Sequence, residues 1–442
     1  MKPTCLQPLL LCACLVLAAG TASAHFKTTP DSPIHIDERG NLHYKPYPNS
    51  DRVPDFSYCG YRASEAPIPN VAVKVIVPWK AGDATARIQR AIDYVSSLPA
   101  NADGFRGTVL LEKGTYEIDG SLLIRTSGVV LRGSGSAADG TVLRAKGEGR
   151  ETLIRIAGRD DRRIGEAMPV ADGYVPVNAN VLTLSAPHGF QAGDRVIVTR
   201  PSTEEWLREL GTDRLGHEME YNLVAWKPGE YDIRWERTVT STTPTSVTLD
   251  VPLTASLDPQ YGGGAVAGLS WDGRIRNAGV ENLRCVSDFD ASNPKDENHR
   301  WMAVTVENAE DCWVRRLTAE HFVSSAVALW ETARRITVED CKSLAPVGEI
   351  GNWRRLSFQT RGQQTLFQRC YAEYGYHDFS VGFTAPGPNA FVQCQSHVPY
   401  HFSGATGGWC TGVLFDKVTV EGGSLSYDYR DMDNRGAGWC AA

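Results

Sequence analysis

Three stretches of this sequence repeat one pattern: Thr365-Leu-Phe-Gln-Arg-Cys-Tyr-Ala372, Asn389-Ala-Phe-Val-Gln-Cys-Gln-Ser396 and Val413-Leu-Phe-Asp-Lys-Val-Thr-Val420. In each stretch a phenylalanine is followed three positions later by a small apolar residue, and two positions after that by another small or apolar residue. Successive copies are 24 residues apart. A spacing of this size is typical of proteins built from stacked structural repeats.

The same pattern extends towards the amino terminus. The pairs of apolar residues three positions apart are Val280/Leu283, Val314/Leu317, Val338/Cys341, Phe367/Cys370, Phe391/Cys394 and Phe415/Val418. Each unit also has a second short apolar run, found at residues 303–306, 326–329, 356–358 and 379–381. Because no such unit buries a core alone, the pattern predicts an all-β solenoid, a right-handed parallel β-helix. Each turn of the chain, here called a rung, then advances about 4.8 Å along the axis.

The amino-terminal part resembles the entry to a known group of β-helices. Residues 83–95 predict a capping helix with Asp83 as N-cap and Ile88, Ile92 and Val95 on one face. Runs beginning Gly107-Thr-Val-Leu-Leu, Gly114-Thr-Tyr-Glu-Ile, Ser121-Leu-Leu-Ile-Arg and Gly128-Val-Val-Leu-Arg-Gly-Ser-Gly follow. This order resembles the pectate lyase superfamily, which includes pectin-cleaving lyases, polygalacturonase-type hydrolases and phage tailspikes. The resemblance covers residues 71–145 by motif and 270–430 by repeat pattern.

The resemblance implies a fold and a carbohydrate ligand without choosing a reaction. The chain has neither the Trp-Ile-Asp-His nor the Arg-x-Pro-x-x-Arg motif of pectate lyases. It also lacks the set of Asn-Thr-Asp, paired-Asp, His-Gly and Arg-Ile-Lys motifs of polygalacturonases. Neither family can therefore be assigned from its motifs.

The order of segments predicts five parts of the chain. Lys2, the apolar run 9–19 and Ala22-Ser23-Ala24 predict a signal peptide, residues 1–24, and so a secreted or periplasmic protein without a membrane span. The other predicted parts are an irregular amino-terminal arm (25–70), the capping helix and first rungs (71–164), an inserted β-rich subdomain (165–270) and further rungs (271–442). The end of the chain lacks the polar cap of a solenoid, which suggests a truncated sequence.

The net charge argues against nucleic-acid binding, and the cysteine spacing predicts the state of the thiols. The formal net charge of -7 supplies no basic field for nucleic acid. Of the eleven cysteines, Cys341, Cys370 and Cys394 fall at equivalent places in the repeat. Stacked thiols of this kind are expected to be reduced and to face the core.

The repeat spacing also predicts a site. With constant spacing, Trp301, Ser324, Trp353, His377 and His401 form one column, beside Met302, Ser325, Arg354, Asp378 and Phe402. We therefore expect the catalytic residues His377, Asp378, Arg354 and His401 to line one cleft on the outer face. The expected substrate-binding residues are Arg355, Arg361, Trp353 and Asn352, with Trp206 and Trp226 of the insertion. These two tryptophans either offer rings to sugar faces or form the core of the inserted subdomain.

This set of side chains favours a polysaccharide lyase acting on a uronate polymer by β-elimination. An arginine neutralises the substrate carboxylate, which acidifies the neighbouring C–H, and a histidine accepts the proton. A glycoside hydrolase remains an alternative, because two of Glu331, Glu349, Asp378 and Asp416 could lie at catalytic spacing. A non-catalytic, glycan-binding or adhesive β-helix is the second alternative.

Other properties stay open at the level of sequence. No motif in the sequence indicates a particular cofactor. Calcium is a candidate ligand, and the acidic loop of Asp288, Asp290, Asp296 and Glu297 is the place considered for it, although such loops are more often merely solvated. The sequence does not determine the sugar, the linkage, the endo or exo mode, or the oligomeric state.

Overall fold

A computed structural model describes residues 32–214 and 225–427 and the backbone of 440–441. The chain divides into two compact units, residues 1–45 and 46–442. Strands β1 (Ile34–Ile36) and β2 (Leu42–Tyr44) form an antiparallel hairpin in the first unit. The predicted signal peptide and most of the chain end on which the truncation hypothesis rests lie outside the described residues.

The second unit contains two α-helices, α1 (Thr85–Ser97) and α2 (Glu204–Leu210), among its described residues. Its first strands are β3 (Val73–Val77), β4 (Gly107–Leu111), β5 (Gly114–Ile118), β6 (Leu122–Ile124), β7 (Val129–Arg132), β8 (Thr141–Ala145), β9 (Thr152–Ala157), β10 (Arg163–Ile164), β11 (Met168–Pro169), β12 (Val181–Thr183), β13 (Arg195–Arg200), β14 (Ile233–Thr242), β15 (Ser246–Leu249) and β16 (Ala265–Ser270). No helix in the described part of the chain is long and apolar enough to span a membrane.

The remaining strands follow the insertion. They are β17 (Ile275–Arg276), β18 (Gly279–Ser287), β19 (Met302–Glu307), β20 (Ala309–Glu320), β21 (Ser325–Leu329), β22 (Ala333–Glu339), β23 (Lys342–Leu344), β24 (Phe358–Thr360), β25 (Thr365–Gln368), β26 (Tyr371–Glu373), β27 (Phe379–Val381), β28 (Asn389–Val392), β29 (Gln395–His397), β30 (Ser403–Ala405), β31 (Val413–Asp416), β32 (Thr419–Glu421), β33 (Leu425–Ser426) and β34 (Cys440–Ala441). Short 3₁₀ turns lie at Tyr61–Ser64, Thr212–Arg214 and Pro259–Tyr261.

Two parallel sheets make the solenoid. A 17-stranded long sheet contains β3 to β5, β7, β8 and most strands from β17 onward, and an 8-stranded short sheet contains β6, β9, β19, β21, β24, β27, β30 and β33. Every pairing in both sheets is parallel, as stacked rungs require. The connections between such strands are right-handed in nearly all proteins. The predicted right-handed parallel β-helix is therefore confirmed.

The register of the long sheet reproduces the sequence repeat. Val280 pairs with Val314, Val314 with Val338, and Val338 with Phe367. Phe367 then pairs with Phe391, and Phe391 with Phe415. The phenylalanine rings stack at centroid distances of 4.9 and 4.7 Å. The spacing found in the sequence therefore corresponds to neighbours one rung apart.

A bend interrupts the long-sheet part of each rung, within β18 and β20 and between two strands in the later rungs. The residues at this bend have left-handed backbone: Asn282, Arg316, Asp340, Arg369, Gln393 and Lys417, with φ between 51° and 57°. This conformation costs a non-glycine residue roughly 1–2 kcal/mol, so the stacked neighbours must hold it. The bend turns the second strand inward and places Cys341, Cys370 and Cys394 in the core.

These cysteines behave as predicted. Each is buried and free, as are the other cysteines whose side chains the structure describes. The Sγ atoms of Cys370 and Cys394 lie 3.6 Å from the carbonyl oxygens of Val338 and Phe367 on the preceding rung. Burial raises the pKa of the Cys370 thiol well above its ordinary value. The ladder is a reduced, apolar part of the core.

Helix α1 covers the first rungs. Ile88, Ile92 and Val95 are buried, as predicted, in the same cluster as the solenoid core. The predicted N-cap is one residue early: Ala84 precedes the helix, and Oδ1 of Asp83 accepts a hydrogen bond from the backbone N–H of Thr85 at 2.9 Å. This helix closes the core at that end.

The insertion is a seven-stranded antiparallel sheet, β10 to β16, with its own apolar core. A buried ion-pair network joins it to the solenoid. Glu310 of β20, fully buried, lies among Arg195 of the insertion and Arg334 and Arg335 of the next rung. Burial alone would raise the pKa of Glu310, but the surrounding guanidinium groups hold it well below its ordinary value. The insertion is thus fixed to the solenoid by charge as well as by packing.

Candidate active site

The short sheet decides which predicted residues meet. The sequence placed its third-rung strand at 356–358, but the strand is Phe358–Thr360. Val327 pairs with Phe358, 31 residues on, and Phe358 pairs with Phe379, only 21 residues on. The spacing between paired residues is shorter here because only four residues connect β24 to the next strand, whereas seven residues connect β27 to the strand that follows it. The assumption of constant spacing is therefore wrong at this rung.

The corrected register gives a new column. Arg355, Tyr376 and Tyr400 occupy equivalent positions on three rungs, since Tyr376 N donates to Arg355 O at 2.7 Å and Tyr400 N donates to Gly375 O at 2.8 Å. Leu356, His377 and His401 occupy the next position by the same register. Trp353 and Arg354, predicted to align with His377 and Asp378, therefore lie in the preceding loop instead.

His377 and His401 do come together, as predicted. Their ring centroids are 5.1 Å apart, edge to face, and the ring of Tyr376 lies 4.4 Å from His377 and 5.0 Å from His401. The guanidinium of Arg355 lies 5.5 Å from the ring centre of Tyr400. Arg355, Tyr376, His377, Tyr400 and His401 are here called the histidine cluster.

The two histidines differ in exposure. His377 is 7% exposed, and its Nδ1 lies 2.7 Å from the carbonyl oxygen of Phe402, to which it donates. His401 is exposed because the next rung offers only Gly423 at that position. A cavity of about 340 Å³, lined by Tyr400, His401, Phe402 and Gly423 among others, opens beside it. His401 is thus the histidine that a ligand can reach.

Arg355 supplies a buried positive charge beneath the cluster. It is 8% exposed, and its Nη2 donates to the carbonyl oxygen of Gly348 at 2.9 Å. Burial lowers the pKa of its guanidinium, and Tyr400 opposes this effect. Arg355, which was predicted to bind substrate, is the arginine of the histidine cluster, a role predicted for Arg354.

Asp378 does not face the cleft, which corrects the prediction. Its side chain is fully buried and points into the solenoid, where the hydroxyls of Ser357 and Ser396 each donate to the carboxylate at 2.6 Å. Burial raises its pKa to about 6, although these two hydrogen bonds lower it. The bend before β27 turns Asp378 inward, so it stands behind His377 rather than beside it.

Arg354 is also displaced from the predicted cleft. Its guanidinium makes two hydrogen bonds to Glu297, at 2.6 and 3.0 Å, and lies 5.6 Å from the ring of Trp301. The hydrogen bond from Arg354 holds the pKa of Glu297 below its ordinary value. Arg354 is therefore engaged with the acidic loop and not with His377.

The carboxylates of that acidic loop have partners of their own. Asp290 accepts the Ser292 hydroxyl at 2.7 Å, Asp296 accepts the Asp290 backbone N–H at 3.0 Å, and Asp288 pairs with Arg144. Among the described residues, no group of three or more histidine, cysteine, aspartate or glutamate side chains is arranged to hold a metal ion. Calcium remains a hypothesis from the sequence.

A second surface combines aromatic rings with one arginine. Arg361 lies 4.0 Å from the ring centre of Phe383 and 4.8 Å from that of Trp330, and its Nη1 lies 3.0 Å from Glu331. Trp353 is 50% exposed and its ring lies 5.3 Å from Phe383. Asn352, which is exposed, precedes Trp353 in the loop. We call this the aromatic surface; it unites the predicted residues Arg361, Trp353 and Asn352.

The insertion's tryptophans match the second of the two roles considered for them, a place in the core of the subdomain. Trp206 and Trp226 are 5% and 6% exposed, and they belong to one small apolar cluster. Trp226 stacks on Tyr231 at 3.7 Å, so its face is covered by protein. Trp226 is a core residue of the subdomain, and only Trp206 borders a cavity. Both rings are buried because the subdomain needs them for its own core.

A third feature was missed by the sequence analysis. A groove of about 580 Å³ beside the first rungs is lined by five arginines and one acidic residue: Arg106, Arg125, Arg155, Arg159, Arg274 and Asp272. Arg125 is exposed and has no ion pair in the described chain. The residues are scattered over 170 positions and no local motif marks them, so only folding reveals the groove.

The four carboxylates considered for hydrolysis occupy different surroundings. Glu331 pairs with Arg361 and Glu349 pairs with Lys295. Asp378 lies in the core, whereas Asp416 is exposed on the long sheet. The arrangement therefore gives no support to this set as a catalytic pair.

The chain was compared with known proteins. No protein-family model matches it, and no curated protein matches it in sequence. Among solved structures it is similar to the tailspike gp49 from Pseudomonas phage LKA1, with 13% identity, 76% of this chain and 56% of that chain covered, and a TM-score of 0.35. It is also similar to a GH82 iota-carrageenase from A. fortis, with 10% identity, 85% and 62% covered, and a TM-score of 0.37.

A tailspike of E. coli bacteriophage HK620 gives 12% identity, 92% of this chain and 57% of that chain covered, and a TM-score of 0.35. The chain thus spans about 56–62% of the length of these three proteins.

Proposed function

We propose that this protein is a carbohydrate-active enzyme that cleaves an acidic polysaccharide by β-elimination at the histidine cluster. The observation that carries the proposal is the exposed imidazole of His401 at a cavity, with the phenol of Tyr400 beside it. The buried cation Arg355 lies behind that phenol. A base, a proton donor and a positive charge are the groups that elimination from a uronate needs.

In the proposed reaction, the uronate carboxylate lies in the positive field of Arg355. His401 accepts the proton from C5, and the electrons of that C–H bond form the C4=C5 double bond. The bond from C4 to O4 breaks, and Tyr400 donates a proton to the leaving oxygen. Solvent then returns a proton to Tyr400 and removes one from His401, so the enzyme is restored. His377 orients the site through its contact with His401.

Two other surfaces support an acidic polymer as substrate. The aromatic surface offers the exposed ring of Trp353 together with Arg361, which suits a sugar ring that carries a negative group. The arginine-lined groove offers positive charge that could contact a second anionic group of the polymer. Export by the predicted signal peptide would bring the chain to extracellular polysaccharide.

The experiment is incubation with a panel of polyuronates and neutral glycans. Unsaturated products absorb near 235 nm, and reducing ends are counted in parallel. The proposal expects both signals on a polyuronate and neither on a neutral glycan. Reducing ends without absorbance would mean hydrolysis, and neither signal on any glycan would contradict enzymatic cleavage.

A glycan-binding protein without catalysis is the second candidate. It is favoured by the enclosure of His377 and Asp378, which leaves His401 as the one exposed acid–base group of the predicted catalytic four. Binding of a polyuronate without either signal would support this candidate.

A further inference from the structure

A cavity of about 320 Å³ lies between the inserted subdomain and Trp409, which belongs to the later rungs. Its aromatic lining consists of Tyr174, Trp206, Tyr261 and Trp409, and its charged lining consists of Arg200, Glu209 and Asp258. Trp206 lies at the base, 5% exposed, whereas the other three rings are partly exposed. The cavity shares no lining residue with the one beside His401.

Arg200 is the unusual member of this lining. It is 7% exposed and lies on the central strand pair of the subdomain, with its guanidinium 4.4 Å from the ring centre of Trp206. Its Nε donates to the carbonyl oxygen of Ser256 at 3.2 Å, whereas its buried Nη1 has no hydrogen-bond partner. Among the described residues, no carboxylate lies within 4.0 Å of its nitrogens.

A buried cation without a counter-ion costs stability. Removing a guanidinium from water is unfavourable unless hydrogen bonds and an opposite charge replace the lost hydration. One hydrogen bond and one ring contact replace only part of it. Burial lowers the pKa of Arg200 to about 10, and the charge of Asp258, which acts in the opposite direction, offsets only part of this effect. A neutral residue of similar length would avoid this cost, so packing alone does not explain an arginine here.

We propose that this cavity binds a single anionic sugar unit, a pyranose that carries a carboxylate or a sulfate group. The anionic group would pair with Arg200, whose planar guanidinium matches the oxygens of such groups. The ring would pack against Trp409, because aromatic faces bury the apolar face of a sugar. A volume of about 320 Å³ is at the small end of ligand pockets and suits one sugar unit.

The acidic residues of the lining fit this ligand. Glu209 is exposed, and Asp258 is half-buried, with Oδ1 accepting the backbone N–H of Gln260 at 2.9 Å. Their carboxylate oxygens can accept hydrogen bonds from sugar hydroxyls. The site thus pairs one cation for the anionic group with acceptors for the hydroxyls. This binding site does not depend on the proposed elimination, since it uses none of the histidine cluster.

The test measures binding of D-galacturonate, galactose 6-sulfate and neutral D-galactose by calorimetry. We expect at least one of the two anionic sugars to bind at least tenfold more tightly than D-galactose. Arg200→Met should weaken that binding at least tenfold and leave the thermal midpoint unchanged or higher. Arg208→Met, an exposed arginine of α2 paired with Glu204, is the control and should leave binding unchanged.

Several outcomes would overturn the proposal. They are equal affinity for neutral and anionic sugars, no detectable binding of either anionic sugar, and full binding by Arg200→Met. If Arg200→Met fails to fold, Trp409→Ala tests the partly exposed wall, and unchanged affinity there would also refute the site. Arg200-dependent binding that persists in His401→Ala would support this site whether or not elimination is observed.

Discussion

The ring of His377 lies 5.1 Å from the ring of His401 on the following rung, yet only His401 is exposed. Stacking of equivalent side chains is what a parallel β-helix imposes, because each rung covers the one before it. Exposure at this position therefore requires that the next rung present no side chain, and Gly423 meets this requirement. A glycine on the next rung therefore determines which histidine of the pair is exposed.

Replacement of Asp378 by asparagine should change how stability depends on pH. The pKa of Asp378 is about 6 in the folded protein against 3.8 for the free group, so the folded state binds more protons between these values. As the pH rises from about 4 through 6, ionisation of Asp378 is more favourable in the unfolded state, so the free energy of unfolding falls. Two pKa units correspond to roughly 3 kcal/mol. Urea unfolding at several pH values should show that the free energy of unfolding of the variant, relative to the wild type, rises with pH by up to about that amount. The same pH dependence in both proteins would contradict the assignment.

Gly375 is expected to tolerate no side chain. A Cβ there would overlap Oδ1 of Asp378 and approach Oγ of Ser357. Gly375→Ala should thus cost about 1–3 kcal/mol by overpacking. Gly173→Ala, where a Cβ would meet nothing within 4 Å, is the matched control. Equal unfolding midpoints for the two variants would show that Asp378 does not occupy this position.

Glu310→Gln should destabilise the junction between insertion and solenoid. The change leaves Arg195, Arg334 and Arg335 without their shared counter-charge in a buried site, which typically costs about 3–5 kcal/mol. Thermal unfolding measures the loss. Glu204→Gln, which removes an exposed ion pair with Arg208, is expected to change stability by less than about 1 kcal/mol. Similar midpoints for the two variants would refute the role of the network.

A polar side chain in the cysteine ladder should destabilise the protein. Cys370→Ser places a hydroxyl in an apolar stack and should lower the free energy of unfolding by about 1–3 kcal/mol. Cys370→Ala separates the loss of packing from the added polarity. Mass spectrometry of the unreduced protein should find these thiols free, and a disulfide between Cys341 and Cys370 would contradict both the ladder and its register.

The fold could be predicted because its signal is local and repeated. Inward residues recur where Phe367, Phe391 and Phe415 stack, so the long-sheet register follows from spacing alone. The short sheet lacks this regularity, since the turns on either side of β24 differ in length. An error of three residues in the turn after β24 assigned Trp353 and Arg354 to the places that Leu356 and Ser357 occupy.

The site was only partly predictable for the same reason. His377 and His401 lie in rungs of equal length and were paired correctly. Asp378 was misplaced because strict alternation fails at the bend before β27, where the buried hydroxyls of Ser357 and Ser396 receive it. Tyr376 and Tyr400 stand directly before the two histidines in the sequence, and this repeated Tyr-His pair was a signal available without coordinates.

The most direct test of the central claim is the rate of 235 nm absorbance on a polyuronate for His401→Ala. We expect a loss of about 10²–10⁴-fold with unchanged thermal unfolding, because His401 accepts the proton in the proposed step. His397→Ala is the control, since that partly exposed histidine lies on the long sheet and pairs with Glu421. An unchanged rate in folded His401→Ala would contradict the claim, as would an equal loss in His397→Ala.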